Sequence, residues 1–206
     1  YHMELFELFI KGGYVMYPLL LCSFIAVIIF VERLRFYGSM LDDVNALRET
    51  IIPLVQQSNW KGLQALKETS KGMATHVIAE AARGGNNKEQ QEKLLEAAAI
   101  SESAKLRQYL NYIESIVTMA PLLGLLGTVT GMIGSFSVLS ISEGQPFAIT
   151  GGVGEALIAT ATGLIVAIIA LILHTYLVQQ QDILISQIED ASAMYMAELA
   201  GDNHAA

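Results

Sequence analysis

The sequence has little charge and almost no cysteine, and both shortages exclude classes of protein. Charged residues make up 16% of the 206 residues and hydrophobic residues 53%, whereas soluble globular chains carry roughly 25% charged residues. The one cysteine, Cys22, excludes an intrachain disulfide and a cysteine metal cluster. The formal net charge of -8 gives no electrostatic basis for binding nucleic acid. An ordinary soluble domain is therefore excluded.

Three long stretches of the chain contain no charge at all. Residues 14–31 form an uncharged run of 18, residues 115–142 one of 28, and residues 156–181 one of 26. A bilayer core of about 30 Å is crossed by about 20 apolar residues in a helix. We therefore predict an all-α integral membrane protein with three transmembrane helices, at 14–35, 114–141 and 147–179.

Basic residues near the ends of these stretches indicate the orientation, because cytoplasmic loops carry an excess of Lys and Arg. Arg33 and Arg35 follow the first uncharged run, Lys105 and Arg107 precede the second, and no Lys or Arg follows Arg107. We expect the N-terminus outside and the C-terminus in the cytoplasm. The remaining segments are an amphipathic outer segment at 1–13 (or a disordered tail), a cytoplasmic helical region at 36–113, an outer loop at 142–146 and a cytoplasmic C-terminal helix and tail at 180–206.

Helical spacing continues from the cytoplasmic region into the second and third spans. Between Asn87 and Pro121 there is no Gly or Pro, so we expect one helix from about residue 88 through the second span, roughly 80 Å long. Apolar residues also continue at helical spacing beyond Asp182, which predicts a second long helix. Pro53 is expected to bend or interrupt the helix that contains it.

The second and third spans carry small residues on one face, whereas the first span is rich in Leu, Ile, Val and Phe. Glycines recur in the second span at steps of 3, 4 and 3, and small residues recur in the third at similar steps. Such a face lets helix backbones approach closely in lipid. We predict close helix packing at Gly124, Gly127, Gly131, Gly134, Ala156 and Gly163.

Glu155 is the one acid within the predicted third span. A charge at bilayer depth costs at least about 2.5–3.5 kcal/mol, which makes it a functional candidate. The alternative is a first-turn carboxylate stabilised by the helix dipole. Pro146 favours a helix that starts there and carries Glu155 about 13 Å along its axis, although Gly151, Gly152 and Gly154 argue for a later start. We predict a buried carboxylate that takes up and releases protons, with hydroxyl groups nearby from Thr128, Thr160 and Thr162.

Two motifs in order on adjacent spans resemble those of a known family. Residues 120–133, APLLGLLGTVTGMI, resemble the hallmark of the MotA/TolQ/ExbB proton-channel family, and residues 154–164, GEALIATATGL, resemble its second motif. The three-span layout extends the resemblance over nearly the whole chain and favours the ExbB/TolQ branch, most like ExbB. The resemblance implies that Thr128, Glu155 and Thr160 line a pore, whereas Thr162 falls where the family is often apolar.

The resemblance also implies an assembly and a function. It implies a ring-shaped homopentamer in the bacterial inner membrane, whose second and third spans enclose a central pore that holds a dimer of a single-span ExbD-type partner. This motor, driven by the proton motive force, would act on a TonB-type protein and energise outer-membrane transport. A TolQ-type subunit for envelope maintenance, a non-conducting membrane scaffold and a self-sufficient ion channel are the alternatives.

No motif for other chemistry is present. The glycines at 151, 152 and 154 do not form a GxGxxG motif, and neither a Walker motif nor an HExxH motif occurs. We therefore predict no enzymatic activity, no cofactor, no metal site and no nucleic-acid partner.

Overall fold

The computed structural model of the protein describes residues 9–141 and 146–201, and every regular element there is helical. From Met16 to Ile141 and from Pro146 to Gly201, seven α-helices and one 3₁₀ turn at Ala82–Gly84 follow one another. The helices are α1 Met16–Met40, α2 Val44–Gln56, α3 Trp60–Thr69, α4 Met73–Ala81, α5 Lys88–Arg107, α6 Leu110–Ile141 and α7 Pro146–Gly201. The expected all-α class is thus confirmed for the described residues.

The chain divides into two units. The first unit comprises residues 1–31 and 109–176, and the second comprises residues 32–108 and 177–206. Eleven of the twelve Lys and Arg belong to the second unit, and the twelfth is Lys11. The first unit holds the first two uncharged stretches and most of the third.

Within the first unit, small residues are buried where helices meet, and many large apolar residues are exposed. Gly124 and Gly163 are buried, whereas Phe24, Leu122 and Ile172 are 64%, 63% and 63% exposed. This arrangement is typical of helices that pack through small residues and present large side chains to lipid. Two helical stretches, Lys88–Ser137 and Gly151–Gly201, are long and apolar enough to cross a membrane. The first predicted span, carried by α1, is not one of these two and stays a prediction.

The second unit has an apolar core, and hydrogen bonds join segments around it. Ile51, Leu63, Ile78 and Leu184 are buried in this unit. The carboxylate of Asp42 accepts hydrogen bonds from the backbone amide of Thr75 at 3.1 Å and from its hydroxyl at 2.8 Å, and so caps the start of α4.

The interruption expected at Pro53 does not occur. Helix α2 continues through Pro53 to Gln56. A proline removes the hydrogen bond to the carbonyl four residues earlier, which here belongs to the exposed Glu49 and can be hydrated. The cost of this proline is therefore low enough for one more turn of helix.

The single helix expected from residue 88 through the second span is broken at Gln108 and Tyr109. Gln108 is extended, with φ -60° and ψ 136°, and Tyr109 has a positive φ of 69°. Two side chains of α1 bind the carbonyls that precede the break, and their hydrogen bonds replace helical ones. Arg33 Nη1 donates to the carbonyl of Lys105 at 3.2 Å, and the Tyr37 hydroxyl donates to that of Leu106 at 2.6 Å.

Several predicted segments lie partly outside the described residues. Of the amphipathic segment predicted at 1–13, only residues 9–13 are described, and residues 9–11 are helical. The outer loop predicted at 142–146 is described only at Pro146, where α7 begins. The last five residues of the tail predicted at 180–206 also lie outside the described part.

Candidate functional site

Glu155 lies in the third turn of α7, because this helix begins at Pro146 and runs unbroken past Gly151, Gly152 and Gly154. Its side chain is half-buried. The carboxylate lies directly against Gly13 in the turn that precedes α1, at the position where a Cβ atom of residue 13 would be. The glycines of α7 therefore do not delay the helix, and Glu155 is well beyond its first turn.

The carboxylate faces a cavity of about 640 Å³ within the first unit. Glu155 is the one acidic or basic residue among the described residues that line this cavity. The lining comes from the turn before α1 and from α1, α6 and α7: Gly12, Tyr14, Val15, Pro18, Leu123, Leu126, Gly127, Thr130, Gly131, Gly134, Ser135, Gly152 and Glu155. The cavity is therefore a mainly apolar space that holds a single titratable carboxylate.

Two hydroxyl groups of α6 line the same cavity. Thr130 donates to the carbonyl of Leu126 at 3.0 Å, and Ser135 donates to that of Gly131 at 2.9 Å. Each hydroxyl donates its proton to a carbonyl of its own helix. Its oxygen lone pairs can therefore accept a hydrogen bond from a water or a protonated carboxyl group. The cavity can thus hold a proton that arrives on Glu155.

Sequence reasoning missed Thr130 and Ser135, although the glycine face of α6 could have indicated both. Thr130 follows Gly127 by three residues, and Ser135 follows Gly131 by four. Residues three and four apart share one face of a helix. Both hydroxyls therefore belong to the face that carries the glycines.

None of the three predicted threonines is among the residues that line this cavity. Thr128 donates to the carbonyl of Leu125 at 2.6 Å, and it lies about 200° around α6 from Thr130, outside the cavity lining. Thr160 donates across to the carbonyl of Gly124 at 3.1 Å and joins α7 to α6. Thr162 donates to the carbonyl of Ile158 at 2.9 Å. Their predicted place on a proton pathway stays a prediction.

The small residues predicted to pack bring α6 and α7 into close contact at five of the six positions. A Cβ atom on Gly124 would lie 3.1 Å from the carbonyl oxygen of Ala159, and one on Gly163 would lie 2.6 Å from that of Ala120. Gly127 faces Ala159, and Gly131 faces Ala156 and Gly152. Gly134 has open space where its Cβ would be and lines the cavity instead. A pore enclosed by these helices stays a prediction.

Metal ligands are not grouped anywhere in residues 9–141 and 146–201, where no three His, Cys, Asp or Glu side chains lie together as an ion would require. A carboxyl group beside hydroxyl groups is able to take up and release a proton, and this role of Glu155 stays a prediction.

Comparisons with known proteins agree with the resemblance of the two motifs. The profile of the MotA/TolQ/ExbB proton channel family matches residues 63–190. Biopolymer transport protein ExbB-like 1 of Synechocystis sp. is 36% identical over 184 residues, which cover 86% of this chain and 72% of that protein. ExbB-like 3 of the same organism is 32% identical, with 78% and 79% covered. The Tol-Pal system protein TolQ of Pseudomonas aeruginosa is 33% identical over 96 residues, which cover 46% and 42% of the two chains.

Proposed function

The chain belongs to the MotA/TolQ/ExbB proton channel family, and we propose on that premise that Glu155 carries protons through a membrane complex driven by the proton motive force. The chain is a proton-channel subunit of the ExbB or TolQ type. In the proposed complex it crosses the bacterial inner membrane three times, with its N-terminus outside. Five copies form a ring around a dimer of a single-span ExbD-type partner, and the complex drives a TonB-type protein that energises outer-membrane transport.

The observation that carries this proposal is the environment of the Glu155 carboxylate. It is half-buried in a cavity whose other polar side chains are hydroxyl groups, without a basic residue in the lining. A carboxylate without a basic partner in apolar surroundings is costly as an anion and is rarely kept for packing alone. A role in proton transfer explains why an acid is present at this position.

A single acid gives one proton site and no relay. Protons that cross the membrane need further groups on both sides of Glu155, and the first unit supplies hydroxyls but no second acid within the cavity lining. A partner with a membrane-embedded carboxylate would complete the pathway, which supports the proposal of an ExbD-type protein. Thr128 is not among the residues that line the cavity, and we propose that it faces such a partner or a neighbouring copy.

The similarity to TolQ of Pseudomonas aeruginosa supports a TolQ-type subunit as the second candidate. In that case the same proton chemistry at Glu155 serves envelope maintenance through a Tol-type partner. Reconstitution with an ExbD-type and with a Tol-type single-span protein separates the two proposals, because only the matching partner should restore proton flux.

The test of the proton site is Glu155→Gln, which preserves size and hydrogen bonding but cannot titrate. The chain is reconstituted in liposomes with the single-span partner, and proton uptake under an imposed potential is followed with a pH-sensitive dye. We expect the variant to assemble and bind the partner but to lose proton flux. Glu114→Gln is the matched control, because Glu114 is an exposed acid of the same unit, and it should conduct normally.

The same experiment without the partner separates the remaining functions. Flux only with the partner supports a motor complex, and flux without it supports a self-sufficient channel. If Glu155→Gln conducts as well as the unaltered chain, the proton role of Glu155 is wrong. If neither the unaltered chain nor Glu155→Gln conducts protons with any partner, a non-conducting scaffold is the better account.

A further inference from the structure

We propose that Gly13 is a positioning residue for the proton-carrying carboxylate: its missing side chain leaves the space that the Glu155 carboxylate occupies. This inference rests on the proposed role of Glu155. It adds a second element to the site, the Gly12–Gly13 turn before α1, which lies 142 residues away in the sequence. Glu155 would thus be oriented by the first predicted span as well as by the helix that carries it.

The contact between Gly13 and Glu155 is steric. A Cβ atom on residue 13 would overlap Oε1 of Glu155 and come within 3.0 Å of its carboxyl carbon. Gly13 also has a φ of +73°, a conformation that glycine adopts without penalty and that most other residues avoid. Two independent requirements, backbone conformation and space for the carboxylate, therefore select glycine at this position.

Hydrogen bonds hold the turn in a defined conformation. The amide of Gly12 donates to the carbonyl of Phe9 at 3.3 Å, and the amide of Met16 donates to the carbonyl of Gly13 at 3.2 Å. The turn is thus bonded on one side to the helical residues before it and on the other to the start of α1.

An apolar cluster fixes the turn against the other two helices of the first unit. Met16 and Leu19 of α1 are buried with Ala120 of α6 and Ala167 of α7, and Phe9 and Val15 pack around them. Because the residues on either side of Gly13 are anchored in this way, the turn cannot easily withdraw from Glu155. Any atom added to Gly13 is therefore expected to displace the carboxylate rather than the backbone.

The side chain of Glu155 can give way, which makes the proposal testable in a folded protein. The atoms that an added Cβ would overlap belong to the far end of the flexible Glu155 side chain. Such atoms can move, whereas backbone atoms at the same distance could not. In Gly13→Ala we expect the carboxylate to rotate away from the turn and to change its surroundings within the cavity. The helices themselves should keep their packing.

The experiment compares Gly13→Ala with two alanine controls in the reconstituted complex. Gly85 also has a positive φ, of 57°, but open space at its Cβ, so Gly85→Ala tests backbone strain alone. Gly151 lies on the same helix as Glu155 with open space, so Gly151→Ala tests a change near the site without the contact. Gly13→Asn is a second test variant, because Asn tolerates a positive φ yet carries the Cβ atom.

Two readouts are measured on each variant. The first is the infrared carbonyl band of protonated Glu155, identified by its loss in Glu155→Gln. The second is proton flux in liposomes. We expect Gly13→Ala and Gly13→Asn to shift the band and to lower the flux roughly tenfold or more, since a displacement of about 1 Å at a reacting group can cost about a hundredfold in rate. Both controls should leave the band unchanged.

Glu155→Asp, which keeps the acid but shortens its side chain, tests whether the effect of Gly13→Ala depends on contact with the carboxylate. The carboxylate of Glu155→Asp is withdrawn by one methylene group, so adding Gly13→Ala in that background should produce no further change in the band or in the flux. An equal additional loss in both backgrounds would contradict a direct contact. This comparison also detects an effect of Gly13 on folding, because such an effect would be the same with Glu or Asp at position 155.

The outcomes separate this inference from the proposed function. If Glu155→Gln abolishes flux while Gly13→Ala and Gly13→Asn leave both readouts unchanged, Gly13 does not position the carboxylate and the proton role stands. If Glu155→Gln conducts fully, the proton role is wrong, and the infrared band alone decides whether Gly13 orients the carboxylate. Equal effects of Gly13→Ala and Gly85→Ala would overturn the inference in favour of backbone strain.

Discussion

Replacing Tyr37 with Phe removes one hydroxyl group at the break between α5 and α6. That hydroxyl donates to the carbonyl of Leu106 at 2.6 Å, and both residues are buried, with 2% and 0% exposure. In a continuous helix this carbonyl would accept from the amide four residues later, and at the break Tyr37 supplies the donor. An unsatisfied buried carbonyl costs about 1–3 kcal/mol. For a chain of this size, that corresponds to roughly 2–12 °C in the midpoint of thermal unfolding.

The one tryptophan of the chain makes this loss measurable in the unit to which it applies. Trp60 belongs to the second unit with Tyr37, and its indole donates to the side-chain oxygen of Asn86 at 2.6 Å. Thermal unfolding of the purified protein in detergent is followed by tryptophan fluorescence. Tyr112→Phe is the control, because Tyr112 is 62% exposed, and its midpoint should stay within about 1 °C of the unaltered chain.

The pH dependence gives a second measure of the same hydroxyl. Burial raises the pKa of Tyr37 from 10.0 to about 12; the nearby Arg33 lowers this pKa and Glu32 raises it. Because the folded state holds the Tyr37 proton more tightly than the unfolded state, the neutral hydroxyl contributes its full stabilisation below pH 10. This stabilisation is lost as the pH rises through about 12. Two pKa units correspond to about 3 kcal/mol. The stability difference between the unaltered chain and Tyr37→Phe should therefore narrow between pH 10 and 12.

Two results would refute this account of the break. A midpoint for Tyr37→Phe that matches that of Tyr112→Phe would mean that the Leu106 carbonyl does not depend on Tyr37. A stability difference that stays constant from pH 8 to pH 12 would mean that the Tyr37 hydroxyl is not buried in the folded protein.

Two further substitutions test helix packing in the first unit and a helix cap in the second. Gly163→Ala places a methyl group against the backbone of Ala120, where a Cβ would lie 2.6 Å from the carbonyl oxygen, and should cost about 1–3 kcal/mol in thermal unfolding of the first unit. Gly151→Ala on the same helix meets open space and should cost nothing, so equal losses would contradict the packing. Asp42→Ala removes the cap on the amide of Thr75 and should cost about 0.5–2 kcal/mol. Hydrogen exchange at the start of α4 should accelerate, and unchanged exchange there would show that Asp42 is not its cap.

Much of the fold follows from local features of the sequence. Uncharged stretches longer than 18 residues predict long apolar helices, and α6 and α7 carry two of them. Pro146 begins α7 because proline is favoured at the first turn of a helix, and this start carries Glu155 into the third turn. The glycine and alanine steps identify the faces through which α6 and α7 meet. These features depend on spacing along one helix, which the sequence contains in full.

The break at Gln108 and Tyr109 was decided by tertiary structure. No Gly or Pro marks it in the sequence. It is stabilised by Arg33 and Tyr37, which lie 72 and 69 residues before the carbonyls they bind. Local periodicity carries no information about such distant donors, so a continuous helix was the natural expectation.

The composition of the site was likewise decided by tertiary structure. The sequence by itself determined that one acid, Glu155, lies among small and hydroxyl-bearing residues, but it did not determine which hydroxyls share its cavity. Thr128 and Thr130 differ by two positions, and only Thr130 is among the residues that line the cavity. Gly13 touches Glu155 only because the turn before α1 is anchored beside α7. Helical spacing determines which residues share a face, whereas the neighbour that covers that face depends on contacts between segments far apart in the chain.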